Sequence, residues 1–247
     1  TLTLLGVRVV LVHGGGPAIN KMLARVGKES KFVGGLRYTD EETMGIVQQV
    51  LAGKVNKSLV QLVNELGVKA VGISGKDGMM LQCKKRYADG EDIGYVGDIT
   101  GVDPQIIYDL LEKDFLPIIC PVGFDEEFKT YNINADDAAC AIATAMEAEK
   151  LAFLTDVEGV YRDFEDKESL ISEMTIDEAQ DFVSSGTLGG GMLPKLQNCI
   201  DAMKQGVSRV HIMDGRIPHC LLLEIFTNKG IGTAIFKTGD ERYYHAE

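Results

Sequence analysis

Apolar positions along the chain change period repeatedly, and each change marks an element. The β-branched run Val7-Arg8-Val9-Val10-Leu11-Val12-His13 predicts a strand that stops at Gly14-Gly15-Gly16. Helical spacing follows from Pro17, acceptable in a first turn, to about Val26. Residues 30–38 read as a short hairpin. Thr39-Asp40-Glu41-Glu42 has the Thr-x-x-Glu form of a capping box and opens a long helical region to about Leu66, with a break expected at Gly53. Hairpins are expected over residues 79–100. Further strands are predicted at Lys69–Ser74, Leu116–Cys120, Lys150–Thr155, Ser208–Met213 and Gly232–Phe236. Helices are predicted from Asp103-Pro104 to about Lys113, from Asn134 to about Ala148, from the capping box Thr175–Glu178 to about Ser185, over Met192–Lys204 and over Pro218–Phe226. This alternation predicts an α/β fold, a three-layer αβα sandwich around a mainly parallel, open central sheet. No linker separates two domains cleanly. The softest division lies near residue 148, giving lobes 1–148 and 149–247 that are expected to share one continuous sheet.

Charge narrows the range of partners. Twenty-five basic side chains against 37 acidic ones give a net charge of −12. A surface of that sign disfavours nucleic acid and anionic membranes, yet leaves room for a small anion in a locally positive cleft. The cysteines at 83, 120, 140, 199 and 220 form no CxxC pair, and His13, His211, His219 and His245 offer no metal-ligand spacing beside them. That pattern reads as reduced thiols in a cytoplasmic setting, with no metal site. No apolar run approaches the ~18 residues of a membrane span.

In an open parallel sheet, ligands bind beyond the carboxyl ends of the strands. Four glycine or polar clusters fall there: His13–Gly16, Ser74–Gly78, Thr155–Gly159, and Asn132–Asp136 just before a helix. Gly14–Gly16 can bring backbone N–H groups to an anion at a helix start, or simply make a tight turn. Gly189–Gly191 precede a second helix, whose first turn carries Lys195; that ammonium can reach a bound phosphate, or be solvated like most helix lysines. Asn132, Asn134 and Asp136 offer polar groups at a helix start, where one of Asn134 and Asp136 can be a plain N-cap. Arg37 suits a bidentate pair with a carboxylate, or a surface role. His13 reads as catalytic or as a hydrogen-bonded structural residue. Neither glycine cluster is a P-loop, and no GxGxxG follows the first strand, which argues against a dinucleotide fold.

Taken in order, the motifs Val12–Pro17, Gly35–Asp40, Leu51–Lys57, Gly94–Ile99, Tyr131–Asp136, Leu154–Val160, Gly190–Lys195 and Ile212–Arg216 resemble the amino-acid kinase family, and within it the acetylglutamate kinase branch. The resemblance implies transfer of the ATP γ-phosphoryl group to the side-chain carboxylate of N-acetyl-L-glutamate, with magnesium accompanying ATP, as a step of arginine biosynthesis. It implies that Gly15, Gly16, Arg37, Asn132 and Asn134 bind acetylglutamate. It implies nucleotide contacts from Gly14, from Asp156, Val157, Glu158, Gly159, Val160 and Tyr161, and from Gly190, Gly191, Met192 and Lys195. Lys195 would stabilise the moving phosphoryl group, and Asp136 would orient the cations. Lobe 1–148 would bind acetylglutamate and dimerise; lobe 149–247 would bind ATP. The chemistry is consistent, because a glutamate-type carboxylate is already ionised at neutral pH and needs no general base.

The family also carries an opening strand ending Lys-x-Gly-Gly, ahead of Thr1, and those residues are expected in the normal enzyme. Glu224–Thr233 resembles the arginine-inhibited branch, which leaves open arginine as feedback inhibitor and a hexamer built from dimers. The competing readings are a non-catalytic sensor of arginine or acetylglutamate and another kinase of the same fold, such as glutamate 5-kinase, aspartokinase, carbamate kinase or uridylate kinase.

Overall fold

The computed structural model describes residues 1–163, 165–185, 192–227 and 230–239. The chain forms two compact units, Thr1–Ala139 and Cys140–Glu247. The division falls within a helix, ahead of the 148/149 boundary read from the sequence.

The first unit contains β1 (Leu11–Val12), α1 (Gly16–Arg25), β2 (Phe32–Val33), β3 (Leu36–Arg37), α2 (Glu41–Gln48), α3 (Asn56–Glu65), β4 (Ala70–Ser74), β5 (Leu81–Ala88), β6 (Glu91–Val102), α4 (Gln105–Glu112), β7 (Leu116–Cys120), β8 (Val122–Phe124), β9 (Thr130–Asn132) and the start of α5 (Ala135–Ala145). Parallel strands β1, β7 and β4 form a three-stranded sheet with β7 central. All five residues of β7 are buried, so both its faces are covered, as a parallel strand requires. Leu59, Val60 and Val63 of α3 pack on Ala70, Leu116 and Ile118. Ile19 and Leu23 of α1 join Met44, Val47, Val50 and Leu51 around Cys120 and Val122. Strands β5, β6, β9 and β8 close into a small barrel whose hairpin β5–β6 is the long one.

Several expectations are corrected. The strand expected over 7–13 pairs only at Leu11 and Val12, opposite Ile118 and Ile119. Ile119 turns its carbonyl to this edge and accepts from the His13 N–H at 3.1 Å. Pro117, two residues back, faces the same edge with no N–H to give, so the ladder stops. Gly53 does not break the helix. Residues Gln49–Val55 widen into a π-helical stretch that runs without interruption from α2 into α3. The cap of α2 is Asp40, whose Oδ1 accepts from the Thr43 N–H at 2.7 Å; Thr39 instead donates to the Arg37 carbonyl at 2.8 Å. The hairpin β8–β9 carried no sequence signal that was read as strand.

The second unit contains β10 (Lys150–Thr155), β11 (Glu173–Thr175), α6 (Ile176–Ser185), α7 (Met192–Lys204), β12 (Arg209–Asp214), α8 (Cys220–Phe226) and β13 (Thr233–Phe236). Its sheet runs β10-β12-β13-β11, with β12 and β13 antiparallel and the outer pairs parallel. The first unit thus holds the three-stranded parallel sheet, the β2–β3 hairpin and the barrel, and the second holds this four-stranded sheet. The capping box at α6 is real: the Glu178 N–H donates to Thr175 Oγ1 and the Thr175 N–H to Glu178 Oε2. Leu196, Cys199, Ile200 and Met203 form the buried face of α7.

Candidate functional site

The first unit gathers its predicted residues at the ends of β1, β3 and β9. Gly14, Gly15 and Gly16 turn the chain from β1 into α1, with Gly15 as the helix cap. Arg37 closes the β2–β3 hairpin and is 8% exposed. Its Nη2 donates to Asn20 Oδ1 at 2.7 Å and to the Gly16 carbonyl at 3.4 Å, and its Nη1 to Ser30 Oγ at 3.0 Å. The guanidinium stacks over Phe32, 4.8 Å from the ring centroid. Among the described residues no carboxylate lies within ion-pair distance of it, and its three acceptors are neutral. Burial lowers its pKa, but an arginine stays cationic at any working pH. A buried cation with neutral partners is a counter-charge available to an anionic ligand.

Asn132 reaches the same place through Thr39. Its Nδ2 donates to Thr39 Oγ1 at 3.3 Å, and Thr39 Oγ1 donates to the Arg37 carbonyl. Thr39 is itself held by the β5–β6 hairpin: its N–H donates to the Ile93 carbonyl, and its carbonyl accepts from Tyr95. That exchange requires Gly94, which has φ +78°; a Cβ there would stand 2.1 Å from the Thr39 oxygen. Gly16, Arg37 and Asn132 are therefore joined by one set of contacts, with Asn20, Ser30 and Thr39 as members the sequence reading missed. Asn20 and Ser30 carried no motif signal. Thr39 carries only a capping-box signal in the sequence, and Gly94 stands inside a motif that assigns it no mechanical role.

Asn134 engages the start of α5 through its amide oxygen. Its Oδ1 caps α5, accepting from the N–H groups of Asp136 at 2.8 Å and Asp137 at 3.2 Å. Asp136 sits in the first helical turn, and neighbouring Asp137 pairs with Arg86 at 2.5 Å. His13 is buried, with Nδ1 2.9 Å from the Gly14 carbonyl and Nε2 3.1 Å from Asn56 Nδ2. Burial lowers its pKa, keeping it neutral. Burial also pushes the Cys83 and Cys120 thiols up to about 12, which silences them as nucleophiles.

In the second unit, Asp156–Tyr161 follows β10. Asp156 and Glu158 are exposed, while Gly159, Val160 and Tyr161 are buried. The Val160 N–H donates to Thr233 Oγ1 at 2.8 Å, anchoring the segment on the start of β13. Tyr161 donates to the Glu158 carboxylate and carries Lys167 over its ring at 4.7 Å. Burial and that hydrogen bond raise its pKa to about 12. Arg216 ties the segment to β12: it pairs with Asp214 at 2.7 Å and donates from Nη2 to the Asp156 carbonyl at 2.7 Å. Val160 thus belongs to the core by its side chain, and its backbone is engaged as well, the N–H on Thr233 and the carbonyl accepting from the Ile171 N–H at 2.8 Å. Lys195, in the first turn of α7, holds Nζ 4.9 Å from the Phe153 ring centroid, and Met192 is half-buried. Gly190 and Gly191 lie outside the described residues.

The chain is similar to known proteins along most of its length. The model of the amino acid kinase family matches residues 1–214. The acetylglutamate kinase of Thermoanaerobacter sp. (strain X514) is 56% identical over 232 residues, covering 94% of this chain and 77% of that protein. That of Heliobacterium modesticaldum is 49% identical over 245 residues, covering 96% and 83%. Among solved structures, an N-acetylglutamate synthase from Neisseria gonorrhoeae, complexed with coenzyme A and N-acetyl-glutamate, superposes with a TM-score of 0.84 at 30% identity. It is matched over 96% of this chain and 53% of its own. The carbamate kinase of Giardia, at 16% identity and a TM-score of 0.65 over 96% of this chain and 86% of its own, shares the fold. The chain belongs to the amino acid kinase family.

Proposed function

We propose that this chain is an acetylglutamate kinase, transferring the γ-phosphoryl group of MgATP to the side-chain carboxylate of N-acetyl-L-glutamate in arginine biosynthesis. The observation that carries the reading is identity of 49–56% over about 94% of the chain to proteins of that activity. The buried Arg37, linked to Gly16 and Asn132, supports it with a cationic site of the right chemistry.

In this reading a carboxylate oxygen attacks the γ-phosphorus, the bond to the β-phosphate oxygen breaks, and ADP leaves with that electron pair. The products are N-acetyl-L-glutamyl 5-phosphate and ADP. No proton has to move, because the acceptor is ionised at neutral pH. Catalysis then rests on holding two anions in line and meeting charge on the phosphoryl oxygens. Gly15, Gly16, Arg37, Asn132 and Asn134 are assigned to acetylglutamate. Gly14, the Asp156–Tyr161 segment and the residues from Gly190 to Lys195 are assigned to ATP. Lys195 stabilises the phosphoryl group, and Asp136 organises the cations. The first lobe is assigned to acetylglutamate and to a homodimer contact, the second to ATP. Cytoplasmic location, hexamer formation and inhibition by arginine near Glu224–Thr233 belong to the same proposal.

The test traps the acyl phosphate with hydroxylamine, comparing acetylglutamate with glutamate, aspartate and carbamate. Product from acetylglutamate alone, lost in Lys195→Ala, supports the assignment. A chain that binds acetylglutamate and ATP yet makes no acyl phosphate contradicts it and favours a sensor.

A further inference from the structure

The first glycine loop poses a mechanical problem. The peptide between Gly14 and Gly15 has no Cβ on either side, so sterics leave its plane nearly free to rotate. A backbone N–H serves phosphoryl transfer only when it is aimed before the reaction begins. Among the described residues one side chain grips the Gly14–Gly15 peptide, through its carbonyl, and that side chain is His13.

The hydrogen-bond roles can be assigned by elimination. The carbonyls of Gly14 and Ile118 can only accept. His13 Nδ1, 2.9 Å from the Gly14 oxygen, therefore carries the proton. Asn56 Nδ2 donates to the Ile118 carbonyl at 2.9 Å and, with its other hydrogen, to His13 Nε2 at 3.1 Å. Nε2 is then an acceptor, and the imidazole is neutral. The flipped amide would set Asn56 Oδ1 against the Ile118 oxygen, two acceptors facing each other. This orientation leaves Oδ1 buried with no hydrogen-bond partner among the described residues. Such an orphan is uncommon, and it shows that the two Nδ2 bonds decide how the amide sits. Asn56 is 1% exposed, and it fits because residue 72 is glycine; a Cβ there would lie 1.8 Å from Oδ1.

We infer that His13 and Asn56 are positioning residues of the phosphoryl-transfer site, a pair that locks the Gly14–Gly15 peptide through the Nδ1–H tautomer. The peptide is trans, so its N–H and C=O point in opposite directions. Holding the Gly14 carbonyl on the imidazole aims the Gly15 N–H away from it. The frame that holds the lock is the central sheet: His13 bonds β7 through its own backbone N–H, and Asn56 bonds the Ile118 carbonyl of the same strand. The loop's orientation is thus referred to its most buried strand. This role deepens the proposed kinase reading and rests on it for its catalytic consequence.

Two measurements test it. The first uses the unaltered protein, labelled with ¹⁵N at histidine, and reads the His13 ring shifts at neutral pH. The Nδ1–H neutral tautomer is expected; the Nε2–H tautomer or an imidazolium would overturn the proposal, whatever the protein's activity. The second compares His13→Asn with His13→Gln in the acyl-phosphate assay, alongside thermal melts. Asparagine can place an N–H where Nδ1 stood, whereas glutamine mimics the Nε2 position. His13→Gln is expected to lose about 10²-fold in kcat, with KM for acetylglutamate changed less than about threefold. His13→Asn should recover most of that loss despite a similar fall in Tm. Asn56→Leu, which touches no glycine of the loop, should lower kcat by about tenfold. Equal kcat in the two His13 variants, or an unchanged kcat per folded molecule in Asn56→Leu, would reduce the pair to packing and end the inference. Absence of product from the unaltered enzyme would refute the kinase reading alone, since the tautomer measurement stands apart from it.

Discussion

Arg37→Lys separates charge from geometry at the proposed carboxylate site. Arginine presents a planar fork whose two Nη atoms already engage Ser30, Asn20 and the Gly16 carbonyl. Lysine keeps the positive charge but gives up the second arm of the fork. A hydrogen bond to a charged group contributes about 1.5–3 kcal/mol, so losing one should raise KM for acetylglutamate by about 10–150-fold. The contact is made to a carboxylate before and during transfer, so kcat should change by less than about threefold. Stability should fall by only about 1 kcal/mol. Ser30 already donates to Asn20 at 2.8 Å in an exposed setting, and both can turn to water, leaving mainly the lost stacking on Phe32. The assay is the hydroxylamine-trapped acyl phosphate, with each substrate varied at saturation of the other. An unchanged KM for acetylglutamate, or a rise confined to ATP, would refute the assignment of Arg37.

Gly94→Ala should destabilise the first unit by about 2 kcal/mol or more and also raise KM for acetylglutamate, because φ +78° suits glycine and the new Cβ would displace Thr39. Urea titration and the same assay check both halves, and parental stability would contradict the close approach. Glu224→Ala removes a buried carboxylate that accepts from His211 Nδ1 at 2.9 Å and from the N–H groups of Ile231 and Gly232 at 2.8 and 2.9 Å. A loss of about 3–5 kcal/mol is expected, and a cost below 1 kcal/mol would show the network to be dispensable. Burial pushes Glu224 upward, but these three donors prevail and its pKa ends below the ordinary value. Its stabilisation is therefore present above the unfolded value of about 4.3 and lost as pH falls below it. Asp40→Ala removes the cap of α2 and should cost about 1 kcal/mol near neutral pH. Asp40, bonded to Lys28 and to the Thr43 N–H, has its pKa lowered to about 2. The gap between variant and parent should therefore narrow as pH drops from about 4 toward 2, and a gap constant over that range would exclude the mechanism.

What could be read from the sequence, and what could not, follows from how far apart the interacting groups lie. Lys150–Thr155 and Leu116–Cys120 are found where their periodicity placed them, because the direction of each side chain is set by local backbone geometry. The failures begin where a neighbour decides. Pro117 shortens β1 through an edge it meets only in the folded sheet, a hundred residues or so along the chain. Gly53 predicts a break by propensity, yet Val50 and Leu51 are held in the α1–α2 core, and the segment widens into a π-helical stretch instead. The candidate site shows the same division. Its loops were legible as glycine clusters at strand ends, and Arg37 as a cation suited to a carboxylate. The contacts that give those loops a fixed shape were not, since Asn132 meets Thr39 across 93 positions and Asn56 meets His13 across 43. A motif such as Leu51–Lys57 names the residues a site depends on without saying what they hold. Only the buried amide of Asn56, with one donor on the imidazole and the other on the central strand, turns that motif into a mechanical part of the glycine loop.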